Sequence, residues 1–316
     1  MLARDDDTTR KRAKHAVQAL VQAVKRLEDA RRVATAAPSA PTASLAPAMA
    51  HRPLSALVAH TAAHPRYKEL YGPLDRFALA AYGDDVLHRE DEVYGIDCEM
   101  VACVDDDMAL ARVSIVRASS PFSSQSTFDV ALDVVVMPVA NPSFIVDTRE
   151  SVTGLTKEAL QTRGVPIDAA LRQVQALFAQ CRGRLVLVGH ALEHDLLALR
   201  MRCDCVVDTA LLVGVEGVDP ARVRQTHSLA SLAQALLGDD ALDGRGGRGG
   251  KHDSAEDATL ALRVAAALTD TYAQAPRPLA LPRLSAKAAA QRGSGAARVV
   301  EVQQQRIRMA AEAARR

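Results

Sequence analysis

The chain lacks tryptophan altogether and has few aromatic residues of any kind. Aromatic residues make up 3% of its 316 residues, although 48% of the residues are hydrophobic. A folded core must therefore be packed mainly by Leu, Val and Ala. No run of about twenty apolar residues occurs, which predicts that no segment spans a membrane. The composition indicates a globular protein of one large domain or two ordinary ones.

Cysteine is also scarce, and its distribution argues against disulfide and zinc frameworks. The five cysteines are odd in number, stand mostly in apolar surroundings and show no metal-type pairing with histidine. They are Cys98, Cys103, Cys181, Cys203 and Cys205. Aspartates at positions 5–7 and the lack of an apolar core segment at the N-terminus argue against a secretory or mitochondrial leader. We therefore expect reduced thiols in an intracellular protein that has no membrane partner.

Charge is divided unevenly along the chain, although the net charge is only +1. Basic residues outnumber acidic ones in residues 1–36 and 276–316, and the middle of the chain carries the excess of acid. This division suits a metal-binding body whose ends meet a polyanion. Ends that only improve solubility explain the same pattern. The basic cluster at residues 10–14 resembles a nuclear address, which gives a nuclear or nucleolar location as the hypothesis and a cytoplasmic one as the alternative.

Changes of composition and periodicity divide the chain into five segments. They are an amphipathic N-terminal helix in 1–33, a flexible Ala-, Pro-, Ser- and Thr-rich linker in 34–53, a helical lead-in in 54–89, a globular domain in 90–275 and a basic tail in 276–316. Within the first segment, residues 8–32 predict a helix that docks on a partner or on a second copy of the chain.

The globular domain begins with three predicted strands joined by short connections, which favours an antiparallel meander. The pattern then alternates between helices and strands. A wholly apolar strand at residues 185–188 is typical of a central strand covered on both faces. Helices are predicted from residue 165 through Cys181, over 191–202, over 228–237 and over about 253–273. The result is an α/β fold with a mixed sheet flanked by helices.

Asp97 and Glu99 lie two residues apart in the first of these strands. Side chains two apart on a strand point to the same face, so the two carboxylates converge. Adjacent anions need a proton or a cation between them, and Mg²⁺ or Mn²⁺ prefers oxygen ligands. A solvated face explains such a pair when it stands alone.

Two further acidic sites occur at helix starts. Asp195 follows the apolar strand, at the carboxyl end where ligands collect in α/β sheets, although it also complements a helix dipole. Asp257 shares a helix face with Asp253, and His252 stands at the start of that helix, where ordinary capping is the alternative. Asp253 and Asp208 are left outside the predicted site.

Together these side chains supply what two divalent ions need. Such ions, about 3.5–4 Å apart, stabilise the attacking and leaving oxygens of an in-line displacement at phosphorus. A free imidazole has a pKa of about 6.5, so a histidine beside these acids is suited to take the proton from the attacking water at neutral pH.

Three motifs in this order carry a resemblance to a known family. They are Ile96-Asp97-Cys98-Glu99-Met100-Val101, Gly189-His190-Ala191-Leu192-Glu193-His194-Asp195 and His252-Asp253-Ser254-Ala255-Glu256-Asp257-Ala258. They resemble the DEDDh group of 3′→5′ exonucleases, which have a ribonuclease H-like fold. With residues 111–116, the first and third motifs look like the Rex-type RNA exonucleases, and residues 147–156 are similar in layout to the plant small-RNA-degrading nuclease branch. The resemblance covers about residues 92–272.

The resemblance implies a role for each matching residue. Four carboxylates would bind the two cations, and a histidine would act as general base. The ligands are Asp97, Glu99, Asp195 and Asp257, and the base is His252. Met100 and Leu192 match positions that pack against the terminal base and sugar, although simple core packing explains them equally well. The loop at residues 243–250 is more glycine-rich than the family pattern. A mobile lid and an insertion both explain this difference.

These expectations make the chain a metal-dependent 3′→5′ exoribonuclease of ribonuclease H-like fold. Its substrate would be RNA with a free 3′ end, and its products nucleoside 5′-monophosphates. The alternatives are a DNA exonuclease on the same scaffold and an inactive RNA-binding or scaffold protein. All five catalytic positions hold the required residue types, which weighs against a decayed site.

Overall fold

The structure, a computed structural model, describes residues 53–79, 91–222, 226–242, 252–274 and 279–281. All of them belong to the unit Ala48–Arg316. The predicted helix in residues 8–32, most of the linker, the glycine-rich loop and nearly all of the basic tail lie outside the described residues. The proposed domain limits therefore stay a prediction.

The strands, in chain order, are β1 Ala78–Leu79, β2 Asp91–Cys103, β3 Ala109–Ala118, β4 Phe128–Met137, β5 Ile145–Asp147, β6 Val165–Pro166, β7 Arg184–Gly189, β8 Met201–Arg202, β9 Val206–Asp208, β10 Val213–Val215 and β11 Leu279–Leu281. The helices are α1 Pro53–Ala62, α2 Tyr67–Tyr71, α3 Glu150–Thr153, α4 Lys157–Arg163, α5 Ile167–Phe178, α6 Leu192–Ala198, α7 Thr209–Leu212, α8 Leu229–Leu237 and α9 Ser254–Gln274. Short 3₁₀ turns occupy Gly72–Arg76, Pro142–Phe144 and Asp239–Leu242.

The main sheet has the strand order β6-β4-β3-β2-β7-β9, and β5 also pairs with β2. Strands β2, β3 and β4 form the predicted antiparallel meander. Strands β7 and β9 then extend the sheet in parallel with β2. An antiparallel meander followed by parallel strands that alternate with helices confirms the predicted ribonuclease H-like mixed sheet.

Apolar side chains on both faces hold this sheet between helices. Along β7 every residue is buried, which confirms the prediction of a central strand. Val186 and Val188 pack in a cluster with α1, α8 and α9, whereas Leu185 and Leu187 pack with α5 and α6. Helix α9 lies so close to β2 that a Cβ on Gly95 would stand 2.6 Å from the Ala258 carbonyl oxygen. This close approach brings the start of α9 to the strand that carries Asp97 and Glu99.

Two predicted helices are shorter than expected. Helix α6 ends at Ala198, and the chain reverses through Arg200, which has a left-handed φ of 52°, into the short strand β8. Helix α5 ends at Phe178 and does not reach Cys181. The following N–H groups of Arg182 and Gly183 donate instead to the Glu92 carboxylate at 2.6 and 2.8 Å. Contacts from residues distant in sequence therefore override the local helical pattern.

No helix in the described parts of the chain is long and apolar enough to cross a membrane. All five cysteines are free thiols. Cellular location stays a prediction.

Candidate active site

Asp195 reaches β2 because β7 stops pairing with that strand at Gly95. Beyond Gly95, the N–H of Cys98 donates to Asp195 Oδ1 at 2.9 Å, a bond between residues 97 positions apart. Asp195 is fully buried, and burial raises the pKa of its carboxyl well above the ordinary range, with Asp208 and Glu193 raising it further against the lowering effect of the Cys98 bond. The third predicted acid is therefore tied to the backbone between the first two.

The acid pair on β2 faces α9, as the two-residue alternation of a strand requires. Ile96 and Cys98 pack into the cluster formed with α5 and α6, so Asp97 and Glu99 point to the opposite face. Asp97 is half-buried, and Glu99 is only 6% exposed.

Glu99 carries the most informative electrostatics of the site. Burial, followed by the nearby Asp257 carboxylate, raises its pKa from 4.5 to about 7, while Arg112 opposes the rise. Its Oε1 atom is buried and has no hydrogen-bond partner among the described residues. Such an oxygen needs a proton or a cation, because desolvated anions are costly when they are left unpaired.

Asp257, on the first turn of α9, is paired with His252. Its Oδ2 atom lies 2.9 Å from His252 Nδ1, and Asp257 is buried while the imidazole is about half-exposed. The backbone N–H of His252 donates to the Val152 carbonyl at 3.0 Å, which holds the start of this segment against the end of α3. The imidazole therefore has a fixed backbone and an accessible ring.

Arg112, a residue not predicted as part of the site, anchors the start of α9 to the sheet. Its guanidinium donates two bonds of 2.8 Å to Asp133 and one of 3.0 Å to Asp253 Oδ2. The other oxygen of Asp253 accepts the N–H groups of Ala255 and Glu256 at 3.0 and 3.3 Å. Asp253 thus caps the helix, and its position outside the predicted site has a structural reason.

Two serines add to the same anchor. Ser114, on β3, and Ser254, the first residue of α9, bring their hydroxyl oxygens within 2.6 Å of each other. Ser114 also donates to Asp133 at 3.0 Å. The residue run around Arg112 and Ser114 was part of the motif resemblance, but nothing in it indicated a partner 141 residues away.

Met100 and Leu192 differ in exposure. Leu192 is fully buried in the cluster with α5 and α6, whereas Met100 is partly exposed at the edge of that cluster. Arg149, which sequence reasoning missed, donates to the Met100 carbonyl at 3.4 Å and to the Asp107 carbonyl at 2.7 Å. Core packing accounts for Leu192, and the substrate roles of both residues stay a prediction.

The oxygen-rich donor set has the chemistry that Mg²⁺ or Mn²⁺ prefers. The unpartnered oxygen and raised pKa of Glu99 are features that a bound cation would neutralise. In the described parts of the chain, however, no three His, Cys, Asp or Glu side chains stand close enough together to hold one ion. Of the predicted ligands, Glu99 and Asp257 are close enough for the charge of one to raise the pKa of the other, while Asp195 is bonded to the backbone of Cys98 between Asp97 and Glu99.

Comparison with known proteins finds no matching family model. Small RNA degrading nuclease 2 of Arabidopsis thaliana is 30% identical over 199 residues, which are 62% of this chain and 39% of that protein. RNA exonuclease 1 of Saccharomyces cerevisiae is 29% identical over 57% of this chain and 28% of its own length. RNA exonuclease 5 of Bos taurus is 34% identical over 55% of this chain and 19% of its own length. The chain thus spans less than half of each of these relatives.

One solved structure matches 60% of this chain and 31% of the other chain. It is the Pan2 pseudoubiquitin hydrolase-RNA exonuclease module of Saccharomyces cerevisiae in complex with A7 RNA. The identity is 23% and the TM-score 0.43, a likeness too low to carry an argument. The sequence relatives agree with the motifs that the chain carries in order. Over the matched residues the chain is similar to proteins named RNA exonucleases and small RNA degrading nucleases, which agrees with the resemblance to DEDDh-type, Rex-like exonucleases that its motifs carry.

Proposed function

We propose that this chain is a metal-dependent 3′→5′ exoribonuclease that releases nucleoside 5′-monophosphates. The single observation that carries the proposal is the buried, unpartnered oxygen of Glu99 beside Asp257, on the strand whose backbone binds Asp195. The chain supplies no donor for that oxygen among its described residues. A cation shared with a substrate phosphate would neutralise it.

The proposed ligands of two divalent cations, Mg²⁺ or Mn²⁺, are Asp97, Glu99, Asp195 and Asp257. When bound, such a pair supplies positive charge to the oxygens around the reacting phosphorus. The chain's own contribution is to hold the carboxylates. Asp195 is fixed by the N–H of Cys98, and Asp257 by the first turn of α9.

His252 is the proposed general base. Because its Nδ1 atom is within hydrogen-bond distance of Asp257, its Nε2 atom is the one assigned to take the proton of the attacking water. The water oxygen forms a bond to phosphorus while the bond from phosphorus to the O3′ atom of the preceding nucleotide breaks. That O3′ takes a proton from solvent, so the products are a nucleoside 5′-monophosphate and an RNA with a new 3′ hydroxyl.

The motif resemblance supports the 3′→5′ direction, and the names of the relatives support RNA as the substrate. The test uses single-stranded RNA labelled at its 5′ end, with Mg²⁺, with Mn²⁺ or with a chelator. We expect a ladder of labelled fragments shortened one nucleotide at a time, and no reaction with the chelator. Early release of the label, internal cutting or full activity in the chelator would contradict the proposal.

Variants then assign the reaction to the site. Asp97→Ala and Asp257→Ala should abolish nucleotide release, because each removes a proposed ligand. Asp204→Ala, an exposed acid paired only with a surface arginine among the described contacts, is the matched control and should leave activity unchanged.

The same assay separates the alternatives. A DNA exonuclease would degrade a DNA strand of the same sequence as fast as the RNA, whereas an exoribonuclease should slow when the terminal 2′ hydroxyl is missing. An inactive RNA-binding protein would retain the strand without shortening it under any metal condition.

A further inference from the structure

The turn between β7 and α6 is strained, and it determines where Asp195 points. Ala191, just before the helix, has φ 56° and ψ 46°, a left-handed conformation that is costly for a residue with a Cβ atom. Gly189 is packed so tightly that a Cβ there would lie 2.7 Å from Leu192 and 3.2 Å from the Ile96 carbonyl oxygen. A small change in this turn would therefore redirect α6 and the acid that it carries.

One buried carboxylate holds the strained residue. Asp208, at the end of β9, is fully buried, and its Oδ1 atom accepts the N–H groups of Ala191 and Ala210, each at 2.9 Å. Its Oδ2 atom accepts the hydroxyl of Tyr71 at 2.8 Å. Both carboxylate oxygens therefore have donors, and one of those donors is the residue in the left-handed conformation.

The lead-in helices complete the support from outside the region of motif resemblance. Tyr71 is the last residue of α2, and Thr61, on α1, accepts the backbone N–H of Asp208 at 3.2 Å. Thr209, next to Asp208, donates its hydroxyl to the Gly189 carbonyl at 2.9 Å. Residues 53–71 thus contact both the side chain and the backbone of the carboxylate that holds the turn.

We propose that Asp208 and Tyr71 are positioning residues for Asp195. Asp208 stabilises the left-handed Ala191, Ala191 sets the direction of α6, and Asp195, one turn later, meets the Cys98 N–H on β2. The lead-in helices are consequently part of the catalytic machinery rather than an attachment to it. This inference rests on the proposed function only where activity is the measurement.

The alternative is that Asp208 stabilises the fold and does not affect the position of Asp195. Replacing Ala191 by glycine separates the two readings, because glycine adopts a positive φ without the Cβ penalty. In the Asp208→Ala background, Ala191→Gly should restore much of the lost kcat if the turn is what failed. It should restore nothing if the loss came from the core around β9.

Expected effects follow from the geometry. Asp208→Ala should lower kcat by about 10- to 100-fold, the cost of a misplaced catalytic group, with little change in KM. Asp208→Asn should retain most activity, since its amide oxygen can still accept both backbone N–H groups. Tyr71→Phe keeps the packing but removes one donor, and its kcat should lie between that of Asp208→Ala and that of the wild type. Asp204→Ala is the control that should match the wild type.

A second measurement does not depend on activity. Hydrogen exchange at the Cys98 amide reports whether Asp195 still accepts its bond. Asp208→Ala should speed this exchange at least tenfold more than exchange at Val113, the residue paired with Cys98 on β3, and Ala191→Gly should reverse part of the change. Unchanged Cys98 exchange in Asp208→Ala overturns the inference. If the wild type shows no nuclease activity, the proposed function fails, and exchange alone decides the positioning role.

Discussion

Replacing Glu99 by glutamine should change how the stability of the metal-free protein depends on pH. Burial and the nearby Asp257 carboxylate raise the Glu99 pKa from 4.5 to about 7. The folded protein therefore holds this proton more tightly than the unfolded chain does. Its contribution to stability is fully present below about pH 4.5 and is lost as the pH rises through about 7. Glutamine has no such proton to lose, so the variant should escape this part of the pH dependence.

The size of the effect follows from the two pKa values. Their difference corresponds to about 3.4 kcal/mol between the protonated and ionised forms. About 2.5 kcal/mol of it lies between about pH 5 and about pH 8. Partial screening by solvent at the open side of the site reduces the expected loss to about 1–2 kcal/mol. The free energy of unfolding of Glu99→Gln, relative to the wild type, should rise by that amount over the same interval.

Urea unfolding in chelator at the two pH values measures this difference. Glu158→Gln, an exposed glutamate on α4, is the matched control and should show the same pH dependence as the wild type. Equal stability differences for Glu99→Gln at both pH values would refute the reasoning. That result would mean that Glu99 is solvated or paired in the folded protein, and the electrostatic case for a cation beside it would be lost.

Three further changes test the residues that hold the site in place and the proposed general base. Arg112→Ala should lower the free energy of unfolding by about 2 kcal/mol and also lower kcat, because Arg112 is 15% exposed and bonds two acids. The control is Arg117→Ala, at a side chain that is 58% exposed, and it should change neither quantity. Urea unfolding measures the stability and RNA cleavage measures kcat. Gly95→Ala should lower the free energy of unfolding by about 1–3 kcal/mol in urea, since the new Cβ would meet a carbonyl oxygen of α9. The control is Gly72→Ala, where a Cβ would enter open space, and it should not lower it. His252→Ala should lower kcat by about 10²–10⁴-fold in single-turnover assays while leaving Mn²⁺ binding measured by calorimetry nearly unchanged.

The sheet could be predicted because its information is local. Alternation along β2, the short turns of the meander and the wholly apolar β7 each fix an element from a few neighbouring residues. The placement of Asp97 and Glu99 on one face follows from the same two-residue period. The strand-end position of Asp195 follows from the order of β7 and α6, without any knowledge of its partner.

What could not be predicted depends on register and on distant pairs. Asp195 meets Cys98 only because β7 ends its pairing at Gly95, a limit that no local pattern encodes. Tyr71 and Asp208 are 137 residues apart, and nothing in the sequence of the lead-in indicates that its tyrosine bonds a buried acid of the sheet. The sequence places Arg112 in a strand, whereas its role in the fold depends on Asp253, which caps α9 and lies 141 residues away.

The buried acids differ in how completely the chain satisfies them, and that difference separates support from site. Asp208 accepts two backbone N–H groups and a hydroxyl, so its burial is explained by the fold alone. Glu99 and Glu193 each keep one buried oxygen without a hydrogen-bond partner among the described residues. A buried oxygen without a hydrogen bond destabilises the folded protein, and no structural contact within the described parts of the chain offsets that cost for these two oxygens. The unsatisfied oxygen of Glu99, beside Asp257, is the one that the proposed cation would neutralise. The satisfied carboxylate of Asp208 instead belongs to the frame that holds the proposed site.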